Sequence, residues 1–159
     1  VLANNEKDIE QGVLDAFSFD KRLLIEQRIQ GKEITVGVID TDQGEIALPV
    51  VEVTTPKDKW YDFQHRYTAG LSKHIVPANL KSSQTKRLQD IALQAHQALD
   101  CRDLSRADFI VPDDNSEYLL EVNTLPGMTP TSLYPDGAEA FGINFIELVT
   151  YLTERAARR

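Results

Sequence analysis

The sequence predicts an α+β domain on a mostly antiparallel sheet, and three observations lead there. Short β-prone runs such as EITVGVID (33 to 40) and EIALPVVEV (45 to 53) follow one another through turn residues. Two stretches with apolar residues at helical spacing, 83 to 99 and 144 to 152, separate groups of strands without regular strand–helix–strand alternation. A length of 159 residues, 42% of them hydrophobic, suits a single domain able to bury a core.

Composition excludes several function classes. A net charge of −8 repels phosphate backbones, so no nucleic-acid partner is expected. No run reaches the roughly 18 apolar residues of a membrane span, and no basic-then-apolar leader is present. The single cysteine, Cys101, rules out an internal disulfide and fits a reducing compartment, the cytoplasm. It reads as a packed helix-end residue, not a nucleophile. The opening VLANNEKDIE lacks an initiator methionine, which predicts a fragment of a longer chain.

The elements follow in order. Asn5 can cap a first helix, with Asp8 three residues on and Ile9, Val13, Ala16 and Phe17 along one face. RLLIEQRI (22 to 29) and EITVGVID, joined through Gln30-Gly31-Lys32, read as a hairpin. TDQG (41 to 44) is a second turn, and Pro49 marks the third strand as an edge or a bulge. Residues 54 to 80 follow neither period, and so long an irregular stretch predicts a functional loop. Ser83 can cap a second helix with Leu88, Ile91, Ala92, Ala95 and Leu99 inward. Strands 105 to 111 and 117 to 123 come next, then a loop from 124 to 137. A last helix starts at Asn144, with Glu147 completing a capping box and Phe145, Leu148, Val149 and Leu152 on its apolar side. No histidine pair stands at metal spacing, and His96 is expected at a helix border.

The segment SRADFIVPDDNSEYLLEVNT carries the chemistry. A turn at Asp114-Asn115 makes antiparallel partners sum to 229, so Asp108 faces Glu121 and Arg106 faces Asn123. Alternation then separates a core face (Ala107, Phe109, Val111, Tyr118, Leu120, Val122) from a polar one (Arg106, Asp108, Ile110, Leu119, Glu121, Asn123). Opposed Cβ atoms lie about 4.5 to 5.5 Å apart, where two carboxylates repel. Arg106 offsets part of that charge but cannot saturate four carboxylate oxygens and an amide carbonyl. Hard divalent cations want such oxygen donors, so Asp108, Glu121 and Asn123 can form a two-metal clamp with Glu121 bridging. A solvated sheet face with one arginine–carboxylate pair accounts for the same spacing. Beyond Asn123, TLPGMT exits abruptly with backbone N–H groups near Gly127 able to hold an oxyanion; an ordinary Pro-Gly turn reads the same way.

EVNTLPGMTPTS closely resembles the signature of the D-alanine–D-alanine ligases of the ATP-grasp superfamily. IEQRIQGKEITVGVI resembles that family's nucleotide-binding hairpin and YDFQHRYTAG its mobile loop, and residues 22 to 155 follow its C-terminal lobe in order. The resemblance implies a partial ATP-grasp domain over 1 to 159. The family's N-terminal domain, and its first phosphate-binding region, would lie outside it. It also implies the reaction: ATP phosphorylates the carboxylate of one D-alanine, and the amine of a second attacks the acylphosphate to give D-Ala-D-Ala for peptidoglycan. The implied cofactors are ATP and two Mg²⁺ (or Mn²⁺), with a homodimer as the full-length enzyme and no membrane partner.

Carried over by position, Asp108, Glu121 and Asn123 match the metal ligands, and Arg106 with the Gly127 N–H matches groups stabilising the tetrahedral intermediate. Ser132 and Leu133 match positions binding the second D-alanine. Glu26, with backbone contacts from Gln27 and Ile29, matches the adenine hinge, and Glu33 the acid on the ribose hydroxyls. On the residues alone, Glu26 and Glu33 read first as hairpin surface charges. Arg66 stands where the family's loop usually carries a lysine for the ATP phosphates, keeping the charge but replacing a compact ammonium with a planar fork. Gln27 also stands where lysine is frequent. Tyr67 matches a position where tyrosine accompanies D-alanine and phenylalanine D-lactate. Two alternatives share these residues: an L-amino-acid or D-Ala-D-lactate ligase of the same superfamily, and a non-catalytic ATP-binding module. These residues alone are expected not to turn over.

Overall fold

The structure, a computed structural model, describes residues 2–54, 73–114 and 116–158. Within them lie four helices and a six-stranded antiparallel sheet. In chain order these are α1 (Glu6–Phe17), β1 (Lys32–Thr41), β2 (Gly44–Ala47), β3 (Val51–Thr54), β4 (Lys73–Ile75), α2 (Ser82–Ala98), β5 (Leu104–Val111), β6 (Tyr118–Asn123), α3 (Leu133–Phe141) and α4 (Phe145–Ala157). The order across the sheet is β4-β3-β1-β5-β6, with β2 also paired to β1. The α+β class read from the sequence is the class observed.

β1 is the centre of this sheet. One edge pairs with β5 from Lys32↔Val111 to Ile39↔Leu104, and the other is shared by β2 and β3. Both edges being occupied, RLLIEQRI has no partner on β1. The hairpin expected over 22 to 40 does not form, and Leu24 and Ile25 are exposed. Gly31 marks where this segment enters the sheet: a Cβ there would meet the Val111 carbonyl oxygen at 2.5 Å, so only glycine allows the approach. The run 45 to 53 splits at Leu48-Pro49-Val50, three residues standing opposite two on β1 (Val38↔Ala47, then Thr35↔Val51). Pro49 thus marks a bulge, the second of its two expected positions.

Two layers cover the sheet. On one face Ile34, Val36, Val38, Ala107, Phe109 and Val111 pack on Leu88 and Ala92 of α2. The inward stripe of α2 is Gln84, Leu88, Ala92 and His96, at four-residue spacing, whereas Leu99 is exposed. His96 lies in the last turn of α2, near the expected helix border, and is buried there with Ser105 and Asp40 of the sheet beside its ring. On the other face Ile39 and Leu48 pack with Tyr134, Ala138 and Leu148 from α3 and α4.

α3 takes up the last five residues, 133 to 137, of the stretch expected as loop and runs on to Phe141. Pro135 sits in its first turn, where no intrahelical N–H is needed, and Gly142 ends it in the left-handed region (φ +102). The expected capping box of α4 is present: the Asn144 side chain accepts from the Glu147 N–H, and the Glu147 carboxylate from the Asn144 N–H. α1 also starts on its expected cap, Asn5 accepting from the Asp8 N–H, yet none of its residues is buried. No described helix is long and apolar enough to cross a membrane.

Candidate active site

β5 and β6 run in the expected register where the polar residues lie: Arg106↔Asn123, Ala107↔Val122 and Asp108↔Glu121. Beyond Asp108 the ladder slips by one, to Phe109↔Leu119 and Ile110↔Tyr118. The slip moves Leu119 onto the core side and Tyr118 onto the polar side, reversing the expected faces. Tyr118, Leu119 and Leu120 are all exposed, since β6 is an edge strand. The slip falls after the carboxylates, so Arg106, Asp108, Glu121 and Asn123 share one face.

Three bonds hold Asp108. Thr35 Oγ1 donates to Oδ1 at 2.7 Å, Arg106 Nε donates to the same oxygen at 2.8 Å, and Arg106 Nη2 donates to Oδ2 at 2.8 Å. Asp108 and Arg106 have side chains only 21% and 11% exposed, so the guanidinium meets the carboxylate with little water between them. Glu121, opposite, is exposed. The Asn123 amide is oriented from its own chain: Oδ1 accepts from the Leu125 N–H at 3.0 Å, leaving one lone pair. Two carboxylates and an amide carbonyl make an all-oxygen donor set suited to a hard divalent cation. Among the described residues no group of three His, Cys, Asp or Glu could hold a metal, and Asn123 adds a third side-chain oxygen to the two carboxylates.

The same face extends along β1. Glu33 is the strand partner of Ile110, two residues from Thr35, and is half-buried. Glu26, Gln27 and Ile29 lie in the unpaired segment before Gly31, the first two exposed and Ile29 half-buried. At the other end of the site the chain leaves β6 and folds back. The Thr129 N–H and Oγ1 reach Ser132 Oγ at 3.1 and 2.8 Å, and the Ser132 N–H donates to the Thr129 carbonyl. A Cβ on Gly127 would lie 3.1 Å from Ser132 Oγ, so the glycine and serine abut. Ser132 is the residue before α3, and Leu133 its first. Arg66 and Tyr67 lie outside the described residues.

Two neighbouring groups escaped the sequence reading. Thr35 is 3% exposed and bonded to Asp108. Its signal was the alternation Glu33, Thr35, Gly37 against Ile34, Val36, Val38, but nothing local names β5 as the partner. His74 on β4 reaches Asp136 of α3 at 2.5 Å, a pairing of residues 62 apart that no local pattern shows.

Residues 2–154 match the family described as the D-ala D-ala ligase C-terminus. The D-alanine–D-alanine ligase of Halalkalibacterium halodurans is 48% identical over 149 residues, 93% of this chain and 48% of that protein. The D-alanine–D-alanine ligase of Coxiella burnetii superposes with a TM-score of 0.80 at 29% identity, over 97% of this chain and 40% of that one. The Bacillus anthracis enzyme complexed with ATP gives 0.79 at 28%, over 97% and 47%. The chain spans about half the length of the curated relatives it matches. With a sheet that aligns Asp108 and Glu121, a loop that returns Ser132 to Gly127, and a match over nearly its whole length, the chain belongs to the D-alanine–D-alanine ligase C-terminal family, an ATP-grasp fold.

Proposed function

We propose that this chain supplies the Mg-ATP and second-substrate side of an ATP-dependent ligase that joins two D-alanines for peptidoglycan. The observation that supports it best is the direct opposition of Asp108 and Glu121, with Arg106 and Asn123 paired on the same face. The two Mg²⁺ (or Mn²⁺) ions, held by Asp108, Glu121 and Asn123, would supply charge neutralisation for the transferring phosphoryl group.

The chain's own groups have distinct tasks. Glu33 accepts from the ribose hydroxyls, a contact suited to a neutral sugar. We assign the segment Glu26, Gln27 and Ile29 to the adenine and Arg66 to the phosphates. Transfer of the γ-phosphoryl to the first D-alanine gives an acylphosphate, whose carbonyl carbon the second amine attacks. Negative charge then develops on the former carbonyl oxygen, where Arg106 and the Gly127 N–H offset it. Collapse expels phosphate, the attacking nitrogen gives up a proton to solvent, and the peptide bond remains. Ser132 and Leu133 hold the second D-alanine, and Tyr67 favours it over D-lactate. We place the whole enzyme in the cytoplasm, as a homodimer.

An ADP-release assay on the enzyme carrying this chain tests the proposal, with D-alanine compared against L-amino acids and D-lactate. D-alanine alone should support turnover, and residues 1–159 in isolation should not. Asp108→Asn should lower activity at least about 10-fold and raise the Mg²⁺ requirement, because one charged ligand is lost. An unchanged Mg²⁺ dependence in that variant rejects the metal assignment.

A further inference from the structure

We infer that Thr35 is a positioning residue: its hydroxyl, together with the Arg106 fork, occupies one oxygen of Asp108 so that this carboxylate meets a divalent cation through Oδ2 alone. The inference rests on Asp108 being a metal ligand, as proposed above.

The count of lone pairs leads to it. An ionised carboxylate offers about four acceptor positions, two on each oxygen. Thr35 Oγ1 and Arg106 Nε both donate to Oδ1, and Arg106 Nη2 takes one position on Oδ2. One position on Oδ2 remains. A bidentate grip through both oxygens is closed while these donors stay in place.

The position of Thr35 gives its hydroxyl no easy alternative. It lies mid-strand on β1, directly across from Asp108 on β5 and from Val51 on β3, and is 3% exposed. A buried hydroxyl needs an acceptor, and here the acceptor is the carboxylate. The β-branched side chain also has few rotamers, so the donor is stiff. Removing the hydroxyl frees a lone pair on Oδ1 and one of the contacts fixing the plane of the carboxylate.

The consequence is selectivity among cations. Mg²⁺ and Mn²⁺ favour octahedral sites, and a one-oxygen carboxylate suits the near-ideal geometry of Mg²⁺ at about 2.0–2.1 Å, whereas Ca²⁺ accepts bidentate carboxylates at longer range. Thr35 thus biases the site toward the smaller ions.

The test is Mn²⁺ binding followed by EPR in the enzyme carrying this chain, with a non-hydrolysable ATP analogue present and Ca²⁺ as competitor. Thr35→Val should weaken Mn²⁺ binding roughly 10-fold, as loss of an outer partner of a ligand typically does, and let Ca²⁺ compete better. Thr35→Ser should bind as the parent does, and the melting temperature of each variant separates loss of fold from loss of ligand geometry. If Thr35→Val does not fold, Thr35→Ala carries the same expectation. Asp108→Asn is the reference arm. If it loses Mn²⁺ while Thr35→Val binds normally, the inference is overturned and the metal site stands. If Asp108→Asn also binds normally, the metal reading itself falls. Equal weakening in the Val and Ser variants overturns the inference as well, since the hydroxyl would not then be the agent.

Discussion

Asp108 and Ser105 stand three residues apart on β5 and face opposite sides of the sheet, each inside a polar cluster. Around Ser105, the Oγ lies 2.7 Å from His96 Nδ1, and His96 Nε2 approaches Asp40 Oδ1 at 3.0 Å, close but poorly aligned for a hydrogen bond. Asp40 Oδ2 in turn accepts from the Asp103 N–H at 2.6 Å. With His96 at 1% and Ser105 at 0% exposure, this cluster is closed to substrate and acts in stability. His96→Leu should therefore cost about 2 kcal/mol, read as a lower urea midpoint, by leaving the buried Ser105 hydroxyl short of a partner. Cys101 gives a second check. Burial, then the charges of Asp100 and Asp40, raise its thiol pKa, so less thiolate is present at any pH below it. Iodoacetamide at pH 8 should label Cys101 several-fold more slowly than a free model thiol.

At the scale of elements, the β6 edge and α3 decide where the site lies. The β6 slip confines the paired carboxylates to the end nearest Asn123, and α3 anchors the loop that returns from it. Tyr134 is the tie: its hydroxyl donates to the Val38 carbonyl at 2.9 Å, and its ring lies against Gly37, where a Cβ would meet it at 3.0 Å. Tyr134→Phe should lose about 1 kcal/mol, since one buried carbonyl loses a donor while the packing remains. Asn144→Ala, which breaks the capping box of α4, should cost about 1 kcal/mol as well, measured the same way. These two elements differ in how legible they were. The α4 cap is written in four neighbouring residues, Asn144 to Glu147. α3 was not foreseen because Pro135 and Gly137 argue against a helix locally, and its stability comes from burying Tyr134 and Ala138 against Leu48 and Ile39.

Across the whole molecule, order is unevenly supported. β1 has six consecutive buried residues, while α1 has none and Ile9, Leu14 and Phe17 stay exposed. In this chain amide exchange should be fastest in α1 and slowest in β1 and β5; protection of α1 equal to that of β1 would show that something packs over it. What the sequence alone determined was local: the alternation of β5, the turn at Gly44, the caps of α1 and α4 and the Asp108–Glu121 register, which depend on residues within about fifteen positions, whereas Ser83, expected as a cap, lies inside α2. Tertiary structure alone decided that β1 is central, that RLLIEQRI therefore stays outside the sheet, that His96 turns inward and that Thr35 meets Asp108. Those outcomes rest on which strand lies beside which. That choice follows from burying the whole sheet between its helices, a quantity no single segment carries.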